Sequence, residues 1–350
     1  MMRKNIFYIL PILAITACTS NDLTDSDINQ NPANEISVAA NVGTVAVTRG
    51  DGMINNVLSA DLNVSAIRMN ETYTADYSGL TAKAATISKT GNVMTFNTPE
   101  YYLASGSKTK IIAWYPTSGT FAPATGKVTF TTLDGSTDVM CTGFAEGNKT
   151  TKIVANALKF DHLLTQIAVK VYAPTAAEQT NWGGIKGITI KDVKTGVELT
   201  YRAPNATSGD AYTATYSTVA DMGIVKKKPA VVATGSGTSD NTGNNADIFG
   251  ADGSTVYSAT NALEIPISTD GTTGTKLAGY AMFPPFTYAS TSLFIEVETV
   301  NGGTKSAEIK QSLVAGSAYT VSLKFIANEI KPTVQITDWV SGGVIPDIEM

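Results

Sequence analysis

Hydrophobic positions along the chain recur mostly at every second residue, in short runs separated by turn residues, which is the period of half-buried strands. ISVAANVGTVAV (36–47) sets Ile36, Val38, Ala40 and Val42 on one face. It then shifts phase to Val45 and Val47 across Gly43-Thr44, where a bulge would fit. Residues 62–69 read as a strand, 84–96 as a hairpin turning at Lys89-Thr90-Gly91-Asn92, 108–116 as a strand closed by Pro116, and 126–132 as another strand. The longest patterned run, LKFDHLLTQIAVKVYA (158–173), alternates cleanly in its second half at Ile167, Val169 and Val171. A hairpin is expected over 187–201 with its turn at Lys194-Thr195-Gly196. Further strands are expected over 262–268, 276–283, 292–310 (turning at Asn301-Gly302), 317–327 and 333–340. Only Pro174–Trp182 reads as a helix.

This many short strands in a chain rich in Thr, Val and Gly predicts an all-β protein of two β-sandwiches in series. The best polar break between them is Glu146-Gly147-Asn148-Lys149-Thr150, giving units of 36–150 and 151–350. The low-complexity stretch 233–254 reads as an insertion loop within the second unit. VKKKPA, with three lysines, reads as a solvated edge.

The first 17 residues stand apart from the fold. MMRKN is a short basic start and IFYILPILAIT an apolar core too short to span a bilayer. Ile15-Thr16-Ala17-Cys18 resembles a bacterial lipobox, which would make Cys18 the first mature residue and attach acyl (palmitate) chains that anchor the chain to the outer membrane. The alternative is ordinary cleavage near Ala17. Residues 18–35, with Asp22, Asp25, Asp27 and Glu35, read as an acidic, flexible tether. They also resemble the acidic export signal of Bacteroidetes surface lipoproteins.

Composition narrows the chemistry. Without Arg3 and Lys4 the chain carries 23 basic against 30 acidic side chains, a net charge of −7 that argues against nucleic acid as a partner. Cys141 has no second cysteine once Cys18 is lipidated, so it reads as a small buried apolar residue. His162 is the single histidine, which leaves too few ligands for a histidine-based zinc site. It lies in a strand run, and the chain has no GxSxG elbow and no CxxC pair. No catalytic, cofactor-binding or metal-binding residue is expected. Trp114, Trp182 and Trp339 are widely spaced and read as packing residues rather than a sugar platform. The chain has four arginines, Arg3, Arg49, Arg68 and Arg202, and Arg49 ends a strand-like run before Gly50-Asp51. That junction admits two readings, an Arg-Gly-Asp adhesion tripeptide or a protease site in a flexible turn.

The lipobox, the strand ending VTRG, the segments IIAWYP, LKFDHLLTQIAVKV and AMFPP, and the closing SAYTVSLKF and VQITDWVSGG together resemble the fimbrillin family of Bacteroidetes surface proteins, subunits of type V pili. The resemblance implies two transthyretin-like β-sandwich domains, export as a lipoprotein, and assembly with other fimbrial subunits at the cell surface. It also implies that an Arg-specific protease cuts between Arg49 and Gly50. The strand bearing Ile36, Val38, Ala40, Val42, Val45 and Val47 would then leave, and a neighbour's strand would fill the groove. Here the donor would lie in 331–350, with Val334, Ile336 and Val340 on one face, Trp339 on the other, and Lys331-Pro332 as a hinge. The cut would divide the Arg-Gly-Asp tripeptide and release the lipid anchor, leaving 22 basic and 26 acidic residues. The expected function is a non-enzymatic structural subunit of an adhesive fimbria, its host or bacterial receptor unspecified. The alternative is a non-polymerising surface lipoprotein that binds glycans.

Overall fold

A computed structural model describes residues 31–42, 58, 60–70, 76–153, 158–206, 209–224, 262–289, 291–327 and 329–338. In chain order the elements are β1 (Ser37–Val42), β2 (Leu62–Asn70), β3 (Lys83–Ile87), β4 (Val93–Phe96), β5 (Thr109–Tyr115), β6 (Thr120–Ala122), β7 (Lys127–Phe130), β8 (Met140–Thr142), β9 (Ala145–Gly147), β10 (Leu158–His162) and β11 (Thr165–Tyr172). There follow α1 (Ala176–Trp182), β12 (Gly184–Tyr201), β13 (Tyr212–Gly223), β14 (Leu263–Glu264), β15 (Lys276–Phe283), β16 (Leu293–Thr299), β17 (Gly303–Ile309), β18 (Ser317–Phe325) and β19 (Ile330–Asp338). The all-β expectation holds, and α1 falls where the sequence puts it. Thr175 caps that helix, its hydroxyl accepting from the Glu178 N–H and donating to the Glu178 carboxylate. The β3–β4 hairpin turns at the expected place because Gly91 and Asn92 both take positive φ, 84° and 52°.

The first sheet runs β2-β3-β4-β1-β10-β8-β5-β9, and β2 also pairs with β5. That extra ladder closes seven strands into a ring, a barrel-like arrangement in place of the two-layer sandwich expected for this half. Alternation along each strand then divides the side chains. Ile111 and Ala113 of β5 join the ring's inner core, while Ile112 and Trp114 face outward into a second, larger core. This two-sided burial explains why β5 reads as the continuous apolar run IIAWY instead of alternating.

The second half has a four-stranded sheet, β15-β11-β18-β19, and a seven-stranded one, β17-β16-β12-β7-β6 with β13 and β14 also on β12. Both contribute to the larger core, for example Val169 and Val321 from the first and Leu199 and Ile295 from the second. The outer face of the ring packs on the same core through Ile67, Ile112, Trp114 and Cys141.

Strands cross the expected break near residue 150. The run 158–173 is two strands: β10 belongs to the ring and β11 to the four-stranded sheet. Conversely β6 and β7, from the first half, pair onto β12 through β7. The expected hairpin over 187–201 is instead one strand. β12 runs straight through Lys194-Thr195-Gly196 and pairs along most of its length with β13, with a bulge between Ile190 and Val193 where Asp192 takes φ 55°. Gly196 serves close approach rather than a turn, since a Cβ there would lie 2.9 Å from Ser217 Oγ on β13.

Candidate functional site

β1 is seated in the ring by two staggered ladders. Ser37, Val38 and Ala39 pair antiparallel with Thr95, Met94 and Val93 of β4. Ala40, Asn41 and Val42 pair parallel with Leu158, Lys159 and Phe160 of β10. Both neighbours would become open edges without it. Ile36, Val38, Ala40 and Val42 are 0–2% exposed and point into the ring, among Val64, Ile87, Met94, Ile111, Leu158 and Phe160. At about 25 cal/mol per Å² of apolar surface, four such side chains contribute several kcal/mol to closing the barrel. The sequence-predicted face of this strand is thus assembled as expected. Val45 and Val47 lie outside the described residues, as do Cys18, Arg49 and Gly50.

The end where the chain enters β1 is held by polar contacts. The Ile36 N–H donates to the Glu100 carbonyl at 2.7 Å, and the Tyr102 N–H donates to the Asn34 carbonyl at 3.0 Å. Lys152 Nζ donates to the Ala33 carbonyl at 2.6 Å. Asn31–Glu35, read from sequence as the end of a free tether, is therefore fastened to the ring. Beside it Glu100 takes Lys83 Nζ at 2.6 Å and faces Arg68 Nε at 3.8 Å, while Arg68 also donates to the Tyr101 carbonyl at 2.8 Å. Tyr102 Oη accepts from the Ile153 N–H at 2.9 Å, and burial pushes its hydroxyl pKa up. No periodicity marks Glu100–Tyr102 or Lys152 as partners of β1; these contacts join residues far apart in the chain.

At the other end of the ring, His162 Nδ1 lies 2.7 Å from Asp138 Oδ2, both side chains buried. Burial raises the neighbouring Tyr115 hydroxyl pKa, and the Asp138 charge raises it further. The histidine is a buried, packed residue within a strand. Cys141 is a free, fully buried thiol, its pKa pushed far up by burial. Trp114 packs on Phe121 with centroids 5.7 Å apart, and Trp182 Nε1 donates to the Ile326 carbonyl at 2.8 Å. Both indoles are buried and offer no stacking platform; Trp339 lies outside the described residues.

Two arginines are in view, and the fold holds both. Arg68 is buried in β2. Arg202 has its N–H on the Ala211 carbonyl, its guanidinium on the Gly209 carbonyl and 5.1 Å from the Phe144 ring centroid, and its own carbonyl accepting from Tyr77 Oη at 2.7 Å.

The expected donor segment is paired within its own chain. β19 lies at the edge of the four-stranded sheet, antiparallel to β18, with Val334 opposite Val321 and Ile336 opposite Tyr319. Val334 is buried in the larger core. Lys331-Pro332 is not a hinge here: it pairs with Lys324 and Leu323 inside the ladder. An edge strand sends alternate N–H groups to the unpaired side, where a proline loses nothing. Trp339 and Val340 fall outside the described residues.

Among the described residues no cluster of three or more His, Cys, Asp or Glu side chains is placed to hold a metal ion. No helix among them is long and apolar enough to cross a membrane.

Comparison with known proteins gives the architecture a context. The fimbrillin-like family matches residues 48–339, beginning between β1 and β2. A solved putative cell adhesion protein from Bacteroides uniformis is 16% identical, with 87% of this chain and 99% of that one covered at a TM-score of 0.53, a likeness of fold alone. The tip fimbrial protein Mfa3 from Porphyromonas gingivalis aligns over 87% of this chain and 100% of its own at 10% identity and a TM-score of 0.38. No curated protein matches the sequence. The family match spans most of the chain, which therefore belongs to the fimbrillin-like family, as a structural, non-enzymatic protein of the cell surface.

Proposed function

We propose that this chain is a structural subunit of a cell-surface fimbria that polymerises with other fimbrial subunits by exchange of β1. The observation that carries the reading is the seat of β1: an alternating apolar strand between two other strands, filling the interior of a ring that its departure would open. An open slot of this kind combines unpaired backbone with apolar pockets, and another extended segment restores both. The trigger is a cut by an Arg-specific protease between Arg49 and Gly50, downstream of β1. The burial of Arg68 and the backbone bonds at Arg202 favour a single cut over general digestion. The family match beginning at residue 48 fits a mature subunit that starts near the same point. The chain reaches the outer membrane as a lipoprotein acylated on Cys18, and the cut separates subunit from lipid.

The donor segment includes Val334 and Ile336 and extends through Trp339 and Val340. Because β19 sits at an edge, it leaves its own sheet by giving up one ladder. Donation is then a choice between two seats, β18 of its own chain and the vacated slot of a neighbour. The buried indoles of Trp114 and Trp182 lend no support to the glycan-binding alternative.

The test is deletion of residues 333–350 in a chain processed by an Arg-specific protease. The expected product is a folded monomer that no longer donates; normal polymer from that chain would reject the donor assignment. Polymer in which the N-terminal fragment is still bound would reject exchange of β1 altogether.

A further inference from the structure

The inner face of the ring, apolar along most of its length, carries charge where the chain enters β1. Val64 and Ala66 of β2 belong to the inner core, and alternation puts Arg68 on the same face, opposite Ile111 of β5. Arg68 is 5% exposed. A buried guanidinium is tolerated only where it is paired and bonded. Here it donates from Nη2 to the Tyr101 carbonyl at 2.8 Å and holds Nε 3.8 Å from Glu100 Oε2. Lys83, on the face of β3 that also bears Ala85 and Ile87, donates to Glu100 Oε1 at 2.6 Å. Both cations thus converge on one short segment between β4 and β5, Glu100–Tyr102.

That segment meets the chain entering β1 through backbone. Glu35 bridges antiparallel to Tyr101, with the Ile36 N–H on the Glu100 carbonyl at 2.7 Å and the Tyr102 N–H on the Asn34 carbonyl at 3.0 Å. No side chain of residues 34–36 takes part in these two bonds. The anchors of the segment itself lie elsewhere. They are Arg68 on β2, Lys83 on β3, and the Ile153 N–H, which donates to Tyr102 Oη at 2.9 Å. The Tyr102 ring is sealed in the inner core. None of these anchors belongs to residues 31–42. Withdrawal of β1 would therefore leave the segment in place, with one carbonyl and one N–H turned to the slot and lacking partners. Any extended backbone can satisfy such a pair.

We propose that Arg68 is a positioning residue: it holds Glu100–Tyr102 as a preformed backbone clamp that grips the entry end of whichever strand lies in the slot. The grip on β1 stands on the geometry alone; its reuse by an incoming strand rests on the strand-exchange reading above. Because the clamp is blind to side chains, selection among strands falls to the apolar positions now held by Ile36, Val38, Ala40 and Val42.

Hydrogen exchange of the uncut full chain, read by NMR at single amides, tests the grip. In Arg68→Met the amides of Ile36 and Tyr102 should exchange about ten-fold faster than in the parent, the scale of one charge-assisted hydrogen bond, while those of the β8–β10 ladder stay within about two-fold. Arg68→Lys, which keeps a donor, should recover part of the protection. An equal loss over the whole ring would make Arg68 a general stabiliser, and unchanged protection at Ile36 and Tyr102 would leave it no hold on the clamp; either result overturns the proposal. If Arg68→Met does not fold, the lysine variant decides by the same comparison, with a rise of about three-fold expected at the two amides. Asn34→Ala with Glu35→Ala should leave both amides within about two-fold of the parent, and a loss of about ten-fold would overturn a grip made by backbone alone. Persistence of the clamp is read on the parent after cutting at Arg49 and release of the fragment. The Tyr102 amide should then lose protection while the Ile153 amide, held by Tyr102 Oη, keeps it. Loss at both overturns the clamp as a preformed seat. A fragment that never leaves counts against strand exchange, and the uncut chain still decides the grip.

Discussion

β1 and β19 are both short edge-length segments near the ends of the described chain, and the fold treats them differently. β1 has a strand on either side and sends Ile36, Val38, Ala40 and Val42 into the centre of a closed ring. β19 has one partner, β18, and lies along the rim of an open sheet. Detaching β19 breaks one ladder and uncovers part of a core that the remaining strands still enclose. Detaching β1 breaks two ladders, opens the ring and exposes its interior. A strand seated like β1 leaves productively only when something replaces it, whereas one seated like β19 is free to leave and return. The pair thus has the asymmetry that exchange between copies needs, a slot costly to leave empty and an occupant cheap to mobilise.

The sharpest way to break this comparison is to place a charge in each strand. Val38→Asp should cost more than about 3 kcal/mol, because the carboxylate would be sealed in an apolar ring with no partner. Val334→Asp should cost about 1–2 kcal/mol, since β19 can peel from β18 and return the charge to water. Urea unfolding of the two variants measures the difference; equal costs would mean that β1 is no better seated than β19. Hydrogen exchange asks the same question of the parent protein. Amides of β19 should exchange at least about ten-fold faster than those of β1, and the reverse order would invert the proposed roles of slot and donor.

A smaller effect is expected from alkali. Burial raises the Cys141 thiol pKa, and the hydroxyls of Tyr201, Tyr212 and Tyr216 around the same core are raised too, Tyr216 to about 12. Groups that keep their protons longer in the folded than in the unfolded chain leave stability at its full value below their unfolded pKa and lower it as pH rises from there towards their folded pKa. Stability should therefore decline above about pH 8.5, the unfolded thiol value, and more steeply above about pH 10. Urea midpoints across that range check the sign, and a flat profile would mean that the core between the ring and the two other sheets is wetter than described.

Where side-chain chemistry follows a local period, the sequence was enough. The face of β1, the Gly91-Asn92 hairpin, the single helix and the buried state of Cys141, His162 and Trp114 were all legible from alternation, turn residues and composition. What escaped were relations between distant segments. Nothing in residues 36–42 names β10 as a neighbour, and the closing ladder between β2 and β5 depends on pairing across the barrel. The hairpin expected at Lys194-Thr195-Gly196 failed because the glycine there makes room for Ser217. β13, which supplies that serine, was missed although Tyr212, Ala214 and Tyr216 alternate with Thr213, Thr215 and Ser217; the strand is largely exposed and only that short stretch carries the period. The hinge at Lys331-Pro332 failed for a related reason, since proline interrupts a ladder only where strands flank it on both sides. The hold of Glu100, Tyr102 and Lys152 on Ala33–Ile36 is wholly tertiary.

The most direct test of the central claim is the oligomer pattern of the Arg49→Ala chain beside the parent after exposure to an Arg-specific protease. The account predicts that the parent loses the fragment carrying β1 and forms a ladder of oligomers that survives SDS. The Arg49→Ala chain should keep β1 and stay monomeric. An equal ladder from the Arg49→Ala chain, with β1 still attached, would contradict it.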